Sequence, residues 1–230
     1  MTVEDIKNGQ VLLIDKPLEW TSFQVVNKLR WAIKKQFKLK KIKVGHAGTL
    51  DPLATGLLII CTGAFTKKIE TYQAQEKEYT GTFTLGATTP SYDMETEIDQ
   101  HYPTEHLSEE IIKKTTENFI GEIEQKPPIF SAVKKDGKRL YELARAGETT
   151  EIKPRTITIT QFEITNIQLP EVDFRVVCSK GTYIRSLAND FGIALNSGAY
   201  LSKLRRTQIG DFSVKDALSI DDFLNQLSNS

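Results

Sequence analysis

Twelve residues constrain this chain more than any others: Gly45-His46-Ala47-Gly48-Thr49-Leu50-Asp51-Pro52-Leu53-Ala54-Thr55-Gly56, followed at once by the apolar run Leu57-Leu58-Ile59-Ile60-Cys61. Three glycines permit backbone angles closed to other residues, while Pro52 fixes its own φ and restrains Asp51 to extended geometry. This composition predicts a constrained loop feeding a buried strand, with Asp51 a rigidly held acid beside the core. An isolated Asp-Pro reads as a turn whose carboxylate merely bonds nearby backbone. This segment is too long and too rich in glycine for a bare turn.

Around it the chain alternates short apolar runs with amphipathic ones. Val11 to Asp15 reads as a strand stopped by Lys16-Pro17. Thr21 or Ser22 can cap a helix in which Val25, Val26, Leu29, Ala32, Ile33 and Phe37 keep three- and four-residue spacing. Lys77 to Gly86 alternates as a strand, with Tyr79, Phe83 and Leu85 on one face. Ala87 to Tyr102 lacks a period and reads as a loop, with Asp93 a candidate contact residue. Ser108 to Phe119 reads as an amphipathic helix, and Thr156 to Thr160, Phe162 to Ile167 and Phe174 to Cys178 as strands. Beyond Ser179 the pattern turns into a helix with Thr182 as a plausible cap. That puts Arg185 in the first turn, against the positive end of the helix dipole, so a carboxylate should face it; Asp51 is the candidate. Asp221 to Leu227 reads as a closing helix.

The charge balance needs care, because 30 basic and 30 acidic residues cancel. Their distribution does not cancel: Trp20 to Leu50 holds no acid but Lys28, Arg30, Lys34, Lys35, Lys38, Lys40, Lys41 and Lys43, whereas Asp93 to Glu124 is dominated by acids. Such segregation can make a phosphate-binding face on a neutral protein, and a solvated helix face explains it equally well. At 230 residues the chain suits one large domain with a substantial core. The longest apolar run is far short of a bilayer span, and Cys61 and Cys178 lie in apolar strand-like runs without a Cys/His cluster. The expectation is a cytoplasmic protein with reduced cysteines, no signal peptide, no metal and no membrane association.

The motif G-H-A-G-T-L-D-P-L-A-T-G resembles the signature loop of the TruB-type tRNA pseudouridine synthases, in which the Asp is catalytic. Lys16-Pro17, Lys77-Glu78-Tyr79, Lys180-Gly181-Thr182-Tyr183-Ile184-Arg185 and Tyr200 to Thr207 are similar to further motifs of that family, in the same order. The stretch P-P-I-F-S-A-V-K-K-D-G-K-R-L-Y-E-L-A-R-A-G from Pro127 resembles its RNA-clamping insertion. The resemblance implies an α/β fold with a mixed, mostly antiparallel central sheet and flanking helices. It implies one catalytic domain over 1–230 with a thumb-like insertion at about 124–150; the expectation of no full C-terminal PUA domain departs from the usual family pattern, in which that domain would begin near residue 230.

It also implies an isomerase without a cofactor, probing the T stem-loop of tRNA as a monomer and converting uridine 55 to pseudouridine by base flipping. By resemblance Asp51, Tyr79 and Arg185 are catalytic, with Tyr79 stacking on the base and Arg185 pairing with Asp51. Tyr183 and Leu204 would line the uracil pocket, and Lys134, Arg205 and Arg206 would approach the RNA backbone. Lys16-Pro17 would support the loop. His46 could fill the stack vacated by the flipped base or simply stabilise the loop. Whether Asp51 attacks C1′, attacks C6 or takes the C2′ proton is open at this stage. An RNA-remodelling chaperone is the competing class, with the same basic surfaces but no need for Asp51; a guide-RNA-dependent relative is a second enzymatic alternative.

Overall fold

The structure, a computed structural model, describes residues 2–131, 134–135, 138–139 and 152–229. The chain begins with a helix absent from the sequence expectation, α1 (Val3–Asn8). Its signal is a reciprocal capping box: the Thr2 hydroxyl accepts from the Asp5 N–H, and the Asp5 carboxylate accepts from the Thr2 N–H at 2.8 Å. β1 (Val11–Lys16) follows, then α2 (Ser22–Gln36), which Thr21 caps by accepting from the Gln24 N–H. β2 (Val44–Ala47), β3 (Ala54–Thr62), α3 (Ile69–Ala74) and β4 (Lys77–Leu85) complete the first stretch.

Beyond it come β5 (Ala87–Thr88), β6 (Gln100–His101), α4 (Glu109–Thr115), β7 (Gly121–Gln125), β8 (Lys134–Lys135) and β9 (Lys138–Arg139). The long hairpin of β10 (Arg155–Gln168) and β11 (Glu171–Cys178) leads into α5 (Ile184–Ala194), β12 (Ala199–Ile209), β13 (Phe212–Ser213) and α6 (Ile220–Ser228). Much of the stretch expected to form the RNA clamp lies outside the described residues. Backbone pairing of Lys134 with Arg139 and of Lys135 with Lys138 is described.

The residues fall into two units, Met1–Tyr79 with Leu204–Ser230, and Thr80–Lys203, so β4 and β12 each begin in one unit and end in the other. In the first unit β3 is the organising strand. β1 runs antiparallel along it from Val11↔Cys61 to Lys16↔Gly56. On its other edge β12 pairs parallel with its beginning (Leu204↔Ala54, Arg206↔Gly56), and β2 antiparallel with its end (Val44↔Thr62, Ala47↔Ile59). Leu58 and Ile60 of β3 enter a core with Val25, Val26, Leu29 and Ile33 of α2 and Phe223 of α6. Leu57, Ile59 and Cys61 enter a second core with Ile209, against which Ile69 and Tyr72 pack. A strand covered on both faces must be apolar at every position, which explains the unbroken run in the sequence.

The second unit orders its strands β4-β11-β10-β7, with β10 antiparallel to both neighbours. Its core is aromatic: Phe83 stacks on Phe174 at 4.1 Å between centroids, and Phe162 meets both Phe174 and Phe191 edge-on. β10 is one strand where the sequence suggests two. Register shifts between Ile159 and Gln161 and between Ile164 and Asn166 interrupt the alternation of its side chains without ending the pairing.

β3 and β12 approach tightly at Gly56, where φ is +105° and an added Cβ would lie 2.3 Å from the Arg206 carbonyl oxygen. Gly56→Ala combines an unfavourable backbone angle with a clash that no side-chain movement relieves. We expect a loss of about 3 kcal/mol in unfolding free energy, measured by urea titration. A midpoint equal to the parent's would show that β12 can move away from β3 at little cost. Among the described residues no helix is long and apolar enough to cross a membrane.

Candidate active site

The loop carrying Asp51 is held from three directions within the first unit. Ser22, beside the Thr21 cap, is buried and bonds both ends of Leu50: its hydroxyl accepts from the Leu50 N–H at 2.8 Å and donates to the Leu50 carbonyl at 3.2 Å. The alternative caps proposed by the sequence therefore divide the work, Thr21 closing the helix and Ser22 anchoring the loop. From β1, Lys16 is fully buried and its ammonium donates to the carbonyls of Pro17 at 2.9 Å, Trp20 at 2.5 Å and Pro52 at 3.4 Å. From β12, Arg206 is 1% exposed; Nε donates to Leu57 O at 2.8 Å, Nη2 to Gly48 O at 3.0 Å and Nη1 to Thr49 O at 3.5 Å.

Two buried cations thus grip the loop on either side of Asp51, through the carbonyls of residues 48, 49 and 52. Each donor meets a neutral acceptor, so their charges still need compensation. Burial pushes Lys16 down to about 8, with the Asp51 carboxylate pulling it back up and the Arg206 cation pushing it further down. Asp51 itself is half-buried, and its carbonyl accepts from the Ala54 N–H at 3.1 Å, which closes the turn into β3. Gly48 adopts φ of +96°, with Arg206 3.4 Å from where a Cβ would stand.

The support role expected for Lys16-Pro17 agrees with this geometry. Its titration gives a pH prediction. A lysine at about 8 in the folded chain and 10.5 when exposed binds fewer protons folded than unfolded between those values. Unfolding free energy should therefore rise as pH passes from about 8 toward 10.5. Urea midpoints at pH 7.5 and 9.5 should show this rise in the parent and not in Lys16→Met. A rise of equal size in both would assign it to other groups.

Arg206 departs from the expectation that it approaches the RNA backbone. Its guanidinium is enclosed and occupied by carbonyls of the loop and of β3, where no phosphate reaches it. Arg205, the next residue and hence on the opposite face of β12, is partly exposed and forms a two-pronged pair with Asp15: Nη1 to Oδ1 at 3.0 Å and Nη2 to Oδ2 at 2.7 Å. Leu204 sits at the start of that parallel pairing, opposite Ala54 and three residues from Asp51 in register. His46, opposite Ile60, has Nδ1 buried and unbonded among the described residues. Burial, with a smaller push from the Arg206 cation, lowers its proton affinity, so the imidazole is neutral at pH 7. Tyr79 is buried at 8% exposure, next to Glu78, whose carboxylate accepts from the Thr207 hydroxyl of β12 at 2.7 Å.

Tyr183 and Arg185 belong to the second unit. Tyr183, rather than Thr182, is the N-cap residue of α5; the Thr182 hydroxyl instead donates to Ser179 O at 3.0 Å. Gln125, buried at the end of β7, clasps Tyr183 by both amide groups: its Oε1 accepts from the Tyr183 N–H at 2.8 Å and its Nε2 donates to Tyr183 O at 3.1 Å. This positioning residue was not anticipated, since a Gln at a strand end carries no local signal for a partner 58 residues away. Arg185 is 5% exposed and donates through Nη1 to Phe130 O at 3.0 Å, with Asp93 Oδ2 3.5 Å from its Nε.

Asp93 is thus one carboxylate that faces Arg185 in the first turn of α5. Being buried at 5% exposure and engaged with Arg185, Asp93 is not placed to meet RNA as the sequence reading suggested. The Lys134 side chain lies outside the described residues.

A family model described as "TruB family pseudouridylate synthase (N terminal domain)" matches residues 34–184, and one described as "tRNA pseudouridylate synthase B C-terminal domain" matches residues 185–229. The chain is 67% identical over 228 residues to a tRNA pseudouridine synthase B of Flavobacterium johnsoniae, covering 99% of this chain and 100% of that relative. It is 58% identical over 219 residues to the protein of the same name from Phocaeicola vulgatus, covering 95% and 93%.

Among solved structures it is similar to a chain of a Cbf5-Nop10-Gar1 complex, with 32% identity and a TM-score of 0.72 over 96% of this chain and 54% of that one. It is similar also to a chain of an H/ACA RNP bound to a substrate RNA containing 2′-deoxyuridine, at 29% identity and a TM-score of 0.68, covering 96% and 53%. The chain spans about half the length of those two solved chains.

Proposed function

The chain belongs to the TruB family of pseudouridylate synthases, and from that footing we propose that it isomerises uridine 55 in the T-loop of tRNA to pseudouridine. The observation that carries the reading is the Asp51 loop, in which two buried cations and Ser22 spend five hydrogen bonds to carbonyls and amide of residues 48–52 on holding one acid. A binding protein gains nothing from an acid so firmly fixed, because a carboxylate repels the phosphates it would need to attract.

Pseudouridine formation cuts N1 from C1′, turns the base, joins C5 to C1′ and releases the C5 proton; no oxidant, reductant or energy source enters. A fixed carboxylate at the ribose can act as nucleophile or base, as carboxylates do in glycoside cleavage. We assign that role to Asp51, and the stacking role at the base to Tyr79. Leu204 supplies an apolar contact beside Asp51. Tyr183 we assign to holding the uracil; Arg185 keeps the catalytic role that the resemblance gives it, with Asp93 beside its guanidinium. Neutral, partly buried His46 is suited to stack within the RNA in place of the extruded base, because an uncharged ring enters a stack at lower desolvation cost than a cation. Arg205, exposed on its outer side, can meet phosphate without leaving Asp15.

The test is tritium release. Transfer RNA carrying tritium at C5 of the target uridine should lose it to water on incubation with pure protein, and mapping should place pseudouridine at that one position. Binding without release, from a tRNA known to be unmodified, would favour the RNA-chaperone reading.

A further inference from the structure

At the end of β3 farthest from Asp51, the first unit contains a cavity of about 630 Å³ with a cationic wall. Arg30 and Lys34 enter it from α2, and Lys40, Lys41 and Lys43 from the segment leading into β2. Lys7 from α1 and Lys67 complete the ring; no Asp or Glu is among the described residues that line it. Arg30 is fixed in place, donating through Nη2 to Val44 O at 2.8 Å and through Nη1 to Asn27 Oδ1 at 2.9 Å. The whole chain is neutral by count, so this concentration is segregation and not general basicity. Like charges held around one cavity repel unless a polyanion occupies it.

The cavity is separate from the catalytic loop. Gly63, one of its lining residues, follows the last residue of β3, whereas Asp51 precedes the first. The nine residues of the strand put the two sites on the order of 25 Å apart. The outer face of α2 connects them. Phe23, next to the loop-anchoring Ser22, and Trp31 are 61% and 57% exposed, and Lys35 lies over the Trp31 ring at 5.0 Å. Phe23, Asn27, Arg30, Trp31 and Lys34 follow the spacing of one helix face, a stripe of aromatic and basic groups suited to nucleic acid.

We propose that this cavity binds the phosphodiester backbone of the substrate RNA at a second stretch, about 25 Å from the uridine being modified. The inference rests on the RNA-modifying reading above and adds to it a grip on a part of the tRNA outside the modified stem-loop. Phosphodiester is the ligand chemistry; it comes from the same RNA molecule as the target base, not from a free nucleotide.

The experiment compares the parent with the triple variant Lys40→Ala, Lys41→Ala, Lys67→Ala, all three exposed positions, on two RNAs: whole tRNA and an isolated T stem-loop hairpin. Binding is titrated against salt, and tritium release is measured on both. For whole tRNA, the slope of log affinity against log salt should shrink by roughly 2 to 3, at about 0.7 to 0.9 per lost phosphate contact. Across a fourfold rise in salt such a difference amounts to on the order of 20- to 60-fold. Hairpin affinity and release should stay within about twofold. An unchanged slope on whole tRNA would overturn the proposal, and so would an equal loss on the hairpin, which would make the cavity part of the catalytic site. ATP or tripolyphosphate bound by the parent and not by the variant, with tRNA binding intact in both, would assign the cavity to free polyphosphates instead. If the parent releases no tritium from either RNA the isomerase reading fails, while the tRNA slope still decides the cavity.

Discussion

Asp51→Asn should release no tritium above background from C5-labelled tRNA, a fall of at least about 10³-fold, while folding and binding as the parent does. The substitution keeps size and most local hydrogen bonding, and the bonds by which Lys16, Ser22 and Arg206 hold the loop run to main-chain atoms of residues 48, 49, 50 and 52. The residues proposed to contact phosphate lie elsewhere, so hairpin affinity should stay within about threefold. Lys16 loses the carboxylate that pulls its pKa upward, so the variant's alkaline stability rise should begin below about 8. Release at the parent rate would remove Asp51 from the chemistry. Loss of folding along with release would leave the assignment to Asp51→Glu, which keeps the charge but displaces the oxygen atoms and should fold with release reduced by at least tenfold.

Arg206→Met is the second large effect, and it separates two roles for one residue. As a buried support, Arg206 satisfies carbonyls of Gly48, Thr49 and Leu57. Its removal leaves them unmet at about 1 to 3 kcal/mol each, partly relieved by relaxation, so a loss of about 3 to 5 kcal/mol is expected, together with most of the activity. The salt slope for tRNA binding should not change. An RNA-backbone contact would give the reverse: near-parental urea stability and a slope smaller by about 0.9. Arg206→Lys is the control, since it keeps the charge and one donor and should recover part of the stability.

The Asp51 loop and its strand were legible because their signals are local. Glycines, a proline and an unbroken apolar run within seventeen residues leave few conformations, and β3 takes one of them. The helix of Ser22 to Gln36 was legible for the same reason, its capping residue and its apolar spacing agreeing. The opposite fates of Arg205 and Arg206 were not. Adjacent residues in a strand face opposite ways, and which face is the core depends on the register with β3, set by residues about 150 positions earlier. The Gln125 clasp and the Asp93 partner of Arg185 are equally non-local. α1 was missed although its signal was present: Thr2 and Asp5 stand at capping-box spacing, but six residues of mixed charge give too few turns for a period.

The separation between Gly48 and the arginine beneath it has a consequence for how the protein is made. The hydrogen bond from Arg206 to Gly48 joins residues 158 apart in sequence. At about 5 to 20 residues per second, a ribosome needs roughly 8 to 30 s to add the arginine after the glycine. For that time the nascent chain carries the Asp51 loop without one of its two cationic supports, and β3 without its parallel neighbour β12. The first unit thus cannot close vectorially; it waits, with Ala54 to Gly56 of β3 unpaired on that edge, until β12 has been synthesised. Nascent chains stalled before residue 204 should therefore expose this edge to chaperones, whereas those stalled after β12 has left the exit tunnel should not.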